Sequence, residues 1–213
     1  VAGLLYYLLT FTESVGSVFG LRFAYEQPRY AVIQELSQNV EIRRYEPRQA
    51  IEATVSGGDR DAASSEAFAL LFRYITGANR GEQKIAMTAP VRISEPMRIS
   101  MTTPVQTSMS RGQISMRFFL PRAVAKAGAP APLDSRLRLV QVPEMTVAVI
   151  RYSGVATQAT RDHQAALLLG VLARSEWKAD GDIFQFNYDP PFAIPFLRRN
   201  ETAVPVVADR TRG

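Results

Sequence analysis

Beyond residue 28, two stretches have the length and spacing of an α-helix, and most other apolar segments alternate with polar residues. The first is DAASSEAFALLFRYITG at 61–77, where Asp61 or Ser64 suits a cap and Gly77 a stop. The second, TQATRDHQAALLLGVLARSE at 157–176, starts about 100 residues later. In ISMRFFLP, Ile114, Met116, Phe118 and Leu120 share one face, which predicts a strand. Further strands are expected over 40–45, 50–55, 136–143, 145–154, 183–188 and 203–207, and AKAGAPAPLDSR at 125–136 reads as a loop. Regular β–α–β alternation is missing, so the expected class is α+β, an antiparallel sheet carrying two helices. Each half runs strand, helix, then strands, which suggests a pseudo-twofold internal repeat.

One phrase occurs twice. KIAMTAPV at 84–91 returns fourteen residues later as RISMTTPV at 98–105. Ile85, Met87, Ala89 and Val91 fall on one side, as do Ile99, Met101, Thr103 and Val105. Two copies are too few for a solenoid. Two alternating strands joined through Ser94–Met97 predict a hairpin, with Pro90 and Pro104 at strand ends, edges or bulges.

The first residues are of another kind. VAGLLYYLLTF is uncharged and apolar, and the first acid is Glu13. Residues 1–28 therefore read as an appendage ending at Pro28. It is a membrane anchor or uncleaved signal, an interfacial helix, or a helix packed on the domain. Membrane association through 1–28, with a globular domain over 29–208 and a tail at 209–213, is the organisation expected.

Composition removes several chemistries. The chain has no cysteine and a single histidine, His163, so thiolate metal sites, disulfides, a cysteine nucleophile and multi-histidine zinc or haem centres are excluded. The net charge of +5 is spread without a dense basic run, which speaks against nucleic-acid binding. No phosphate loop or nucleophile motif appears, and no acid–base pair is legible from spacing, so a non-enzymatic protein is expected.

FRYITGAN, KIAMTAPV and MRFFLP, followed by APAPLDSRLRL, VAVIRYSG and FQFNYDPPFAIPFLRRNE, together resemble the SOUL/haem-binding protein family in a bacterial form. The resemblance covers roughly residues 30–207. It implies a distorted antiparallel β-barrel or paired sheets with two flanking helices, akin to the effector-binding domains of bacterial regulators. It also implies binding of haem or another tetrapyrrole in a shallow apolar groove.

The first helix offers a surface for that. Ala67, Leu70, Leu71, Tyr74 and Ile75 form its core side, leaving Ser65, Phe68, Ala69, Phe72, Arg73 and Thr76 on the other. Two phenylalanines there are covered by another segment or form a shelf for a porphyrin face, with Arg73 at the rim for a propionate. The resemblance assigns Phe68 and Phe72 to the ring and Arg73 to a propionate. It also places Ser65 where a second basic residue is expected. Asn187, Tyr188 and Phe192 of NYDPPF either form an opposite wall or a stiff strand connection. His163 falls opposite the buried side of the second helix. Without a well-placed axial ligand, haem would be held by apolar burial and propionate contacts, for transport, buffering or sensing. The alternative is an accessory subunit docked on a membrane protein complex through the N-terminal segment.

Overall fold

The structure is a computed structural model that describes residues 26–56, 59–89, 91–94, 113–189 and 194–209. The apolar run at the start, the second copy of the doubled phrase and Phe192 lie outside them. No helix among the described residues is long and apolar enough to cross a membrane.

Ten strands form one sheet: β1 (Tyr30–Ser37), β2 (Val40–Tyr45), β3 (Arg48–Ser56), β4 (Val91–Ser94), β5 (Gln113–Phe119), β6 (Leu137–Val142), β7 (Met145–Tyr152), β8 (Trp177–Ala179), β9 (Phe184–Asn187) and β10 (Asn200–Ala208). Nine follow the order β1-β2-β7-β10-β9-β4-β5-β3-β6, and β8 adds to β10. Every pairing between these strands is antiparallel, and the sheet curls into a half-barrel. The α+β class with two main helices is as expected.

Helix α1 spans Arg60–Ile75 and packs on β3 and β5. A short helix α2 covers Arg122–Ala127, so the first residues of the expected loop at 125–136 are helical. Helix α3 spans Gln158–Leu172 and lies against β7, β8 and β10.

Strand alternation divides the sheet into two faces. On the helix face, Ile51, Ala53, Val55, Ile114, Met116 and Phe118 pack with Leu70, Leu71 and Tyr74 of α1. Val40, Ile42, Ala148, Ile150 and Val204 pack with Ala165, Leu168 and Leu172 of α3. The opposite, inner face holds Tyr45, Ala50, Phe119, Val147, Val149, Phe184, Phe186 and Tyr188. A fully buried leucine-sized side chain contributes about 1.5–3 kcal/mol relative to exposure, so these layers supply the main drive to close the sheet.

Two local expectations change. Asp59, not Asp61 or Ser64, caps α1: its carboxylate accepts from the N–H groups of Asp61 at 2.8 Å and Ala62 at 3.3 Å. The first KIAMTAPV copy also differs. Lys84–Met87 belongs to no strand, Thr88 makes an isolated bridge, and β4 begins only at Val91. Its backbone donors are committed elsewhere: Ile85 N–H to Ile75 O at 2.7 Å and Ala89 N–H to Glu26 O at 3.2 Å. The Thr88 hydroxyl donates to Phe119 O. The predicted hairpin partner lies outside the described residues. β4 pairs with β5 on one side and β9 on the other.

Strands β1 and β8 and helix α2 were not expected. β1 has no clean alternation, and Val32 and Ile33 on it are exposed. It is an edge strand, whose periodicity the core does not enforce.

Candidate functional site

The phrase FRYITGAN ends α1 and fixes its exposed face. Gly77 adopts φ of +122°, a conformation that costs glycine little and stops the helix. Asn79, almost fully buried, donates from Nδ2 to Tyr74 O at 2.8 Å and to Gln83 O at 2.7 Å. The Tyr74 hydroxyl donates to Pro130 O at 2.8 Å, and burial pushes the phenol up to about 12. Tyr74 thus points into the domain, away from the solvent side of α1.

On that side Ser65, Phe68, Ala69, Phe72 and Arg73 are all exposed. Phe68 and Phe72 are 37% and 46% accessible, unusual for aromatic side chains with a core beneath them. Their rings lie nearly parallel, 13° apart with centroids 6.0 Å apart. Phe68 also meets Phe118 of β5 edge-on at 5.4 Å. That contact anchors one ring of the pair to the sheet and leaves the other free to present its face. Ser65 spends its hydroxyl on Asp61 O at 2.8 Å.

Charge borders this shelf. Arg136 bridges Asp134 at 2.7 Å and Glu66 at 2.8 Å. Bonds from Arg136 hold the Asp134 carboxyl down to about 2, and Arg73 lies close enough to contribute. Arg73 therefore sits at the edge of an exposed, adjustable charge network.

The NYDPPF residues are elsewhere. Asn187 is half-buried in β9, opposite Asn200 and Val91. Tyr188 is buried on the inner face and donates to Glu201 Oε2 at 2.9 Å. The structure brings Ser65, Phe68, Ala69, Phe72 and Arg73 together and leaves Tyr188 on the far side of the sheet from them. His163 is exposed on α3. Among the described residues no group of His, Asp and Glu side chains is arranged to hold a metal ion.

The inner face carries a buried charge cluster that spacing did not reveal. Glu201 Oε2 accepts from Arg43 Nη1 at 2.9 Å, and Oε1 accepts from Arg199 Nε at 2.9 Å and Nη2 at 2.6 Å. Burial disfavours the Arg43 cation, but Glu201 outweighs it and the guanidinium is raised further above its ordinary value. Burial pushes Tyr45 up to about 12 and Tyr188 well above the usual phenol range. Strand alternation gives no signal for this cluster: Arg43 shares VEIRRY with Glu41 and Arg44, Glu201 follows Asn200, and both read as ordinary solvent-facing charges.

With this geometry in view, the comparisons are specific. The family model described as SOUL heme-binding protein matches residues 25–205. The chain belongs to the SOUL heme-binding family. It is 31% identical to human heme-binding protein 2 over 166 residues, covering 75% of this chain and 74% of that protein. It is 27% identical to heme-binding protein 1 of Xenopus tropicalis over 161 residues, 76% of this chain and 80% of that one. Among solved structures it is similar to the EcmrR C-terminal domain, with a TM-score of 0.57 at 7% identity, covering 79% of this chain and 97% of that domain. That likeness concerns the fold alone. In this SOUL-family chain, FRYITGAN builds the end of α1, and FQFNYDPPFAIPFLRRNE supplies Tyr188, Arg199 and Glu201 to the inner cluster.

Proposed function

We propose that this chain binds haem or a related tetrapyrrole reversibly on the exposed face of α1, without catalysing a reaction. The observation that carries this reading is the near-parallel, solvent-facing pair Phe68 and Phe72 with Arg73 on the same face. Flat aromatic rings suit a flat macrocycle, and burying them against it removes apolar area from water. Phe68 and Phe72 would take the ring, and Arg73 a propionate. Both the heme-binding names of the relatives and the family match support the ligand class.

The residues present fit a tetrapyrrole held by packing and charge. Ser65, Phe68, Ala69, Phe72 and Arg73 include no imidazole, thiolate or thioether, so the shelf itself offers iron no strong ligand. Binding of this kind releases its cargo readily, which suits transport, buffering or sensing.

Titration of the purified full chain with haemin tests the proposal. A saturable Soret shift at one haemin per chain is expected, and Phe72→Asp should weaken it at least tenfold while leaving the circular dichroism unchanged. Wild-type protein that gives no saturable shift, or a folded Phe72→Asp variant that binds as wild type does, would overturn it.

A further inference from the structure

A cleft of about 390 Å³ opens at one end of the sheet, between the segment entering β1, the β2–β3 turn and α2. It is the size of a small-metabolite site. Phe119 lines it, whereas the adjacent Phe118 supports Phe68 on the helix face. The cleft and the α1 shelf share no lining residue.

Its charges do not balance. Arg29, Arg48, Arg122 and Lys126 line it, against Glu26 and Glu46. Both acids are already engaged by Arg122: Glu46 Oε2 accepts from its Nη2 at 2.6 Å, and Glu26 Oε1 from its backbone N–H at 3.1 Å. Among the described residues no carboxylate meets Arg48. Its guanidinium lies over the rings of Tyr45 at 4.7 Å and Phe119 at 4.6 Å, and Nη1 reaches only Glu46 O at 3.2 Å. Arg48 Nε is buried without an acceptor, and the neighbouring Gln49 Oε1 is buried without a donor.

Two more cations, Arg92 and Arg117, lie outside the lining but close enough to act on Arg48 or on each other. Desolvation, together with repulsion from Arg117, brings Arg48 down to about 10, and desolvation with repulsion from Arg117 and Arg48 brings Arg92 to about 9. Both remain cations at neutral pH. Glu52, the nearby acid, is shared between Arg117 and Arg138. Surplus positive charge beside a partly desolvated cleft raises the potential within it.

We propose that this cleft is a second binding site, for a small organic anion whose carboxylate or phosphate group pairs with the Arg48 guanidinium. Arg29 and Lys126, both exposed at the rim, draw the anion in. The site is independent of haem binding, because no residue of the α1 shelf lines it.

The test uses the purified full chain at constant ionic strength, with inorganic phosphate and citrate as separate probes. Calorimetry and ¹⁵N spectra of the Arg48 Nε–H group report binding. One-to-one saturation with at least one probe and a moving Arg48 Nε–H resonance are expected, and which probe saturates distinguishes phosphate from carboxylate. Arg48→Gln should lower affinity at least tenfold, and Phe72→Asp should leave it unchanged. Haemin titration of Arg48→Gln should match wild type, so failure of this site is told apart from failure of the haem reading. If Arg48→Gln does not fold, the Arg29→Gln/Lys126→Gln double variant decides by a several-fold loss. Absence of saturation with both probes, saturation that leaves the Arg48 resonance still, or affinity indifferent to these variants would overturn the proposal.

Discussion

Arg43 and Glu201 stand 158 positions apart in the chain, yet Nη1 of the first donates to Oε2 of the second at 2.9 Å inside the curled sheet. Their side chains are 3% and 0% exposed. Arg199 and Tyr188 satisfy the same carboxylate. Removing it would leave the Arg199 guanidinium without its carboxylate and Arg43 with Glu41 alone, at 2.6 Å. Glu201→Ala should therefore destabilise the fold by about 3–5 kcal/mol, the scale for breaking a buried ion pair from one side. Urea unfolding checks this, and a loss below about 1 kcal/mol would show that solvent reaches the cluster.

Arg73 offers a finer probe of the α1 shelf than its phenylalanines. An exposed ion pair is worth about 0.5–1 kcal/mol, so Arg73→Gln should weaken haemin binding about two- to fivefold. The same substitution should leave affinity for the haemin dimethyl ester unchanged, because the ester has no propionate charge. Equal losses with acid and ester would mean that Arg73 acts through packing.

Acid should loosen the inner face through Glu52. Burial favours its neutral form, but the guanidiniums of Arg117 and Arg138 outweigh that and hold the carboxyl below its ordinary value of 4.5. A depressed value in the fold means that the carboxylate's stabilisation is complete above pH 4.5 and lost as pH falls through the folded value. The stability gap between wild type and Glu52→Gln should thus be wide at pH 6 and shrink by pH 3, read from urea midpoints. A gap that stays constant would contradict this.

Capping of α1 gives a direct comparison of two neighbouring acids. Asp59 accepts two backbone N–H bonds, whereas Asp61 lies inside the first turn. Asp59→Ala should cost about 1 kcal/mol and Asp61→Ala a few tenths. Thermal unfolding of the two variants tests the ranking, which should not invert.

The contrast between these acids shows how far local pattern reaches. The helical spacing of Leu70, Leu71 and Tyr74 correctly set the buried side of α1, and by subtraction its exposed side. The alternation of Ile114, Met116 and Phe118 likewise gave β5 its helix-facing side. KIAMTAPV shows the limit. Its alternation holds in burial only in part: Ile85 and Ala89 are covered and Lys84 and Ala86 exposed, but Thr88 on the outward side is buried, and the backbone bonds go to the end of α1 and to Glu26. Alternation specifies most of the side chains that turn inward; it does not specify which backbone group receives each N–H.

From its residues alone, then, this chain's two main helices, most of its strands, its family and the apolar sides of α1 and β5 were determined, because periodicity is a property of consecutive residues. Tertiary structure decided the strand order β2-β7-β10-β9, which sets Arg43 beside Glu201 and buries Tyr188 away from α1. It also decided that Phe118 and Phe119, neighbours in β5, serve opposite faces: one props the α1 shelf, the other lines a cationic cleft. Burial of charge depends on how the whole sheet closes, and no short window of sequence carries that information.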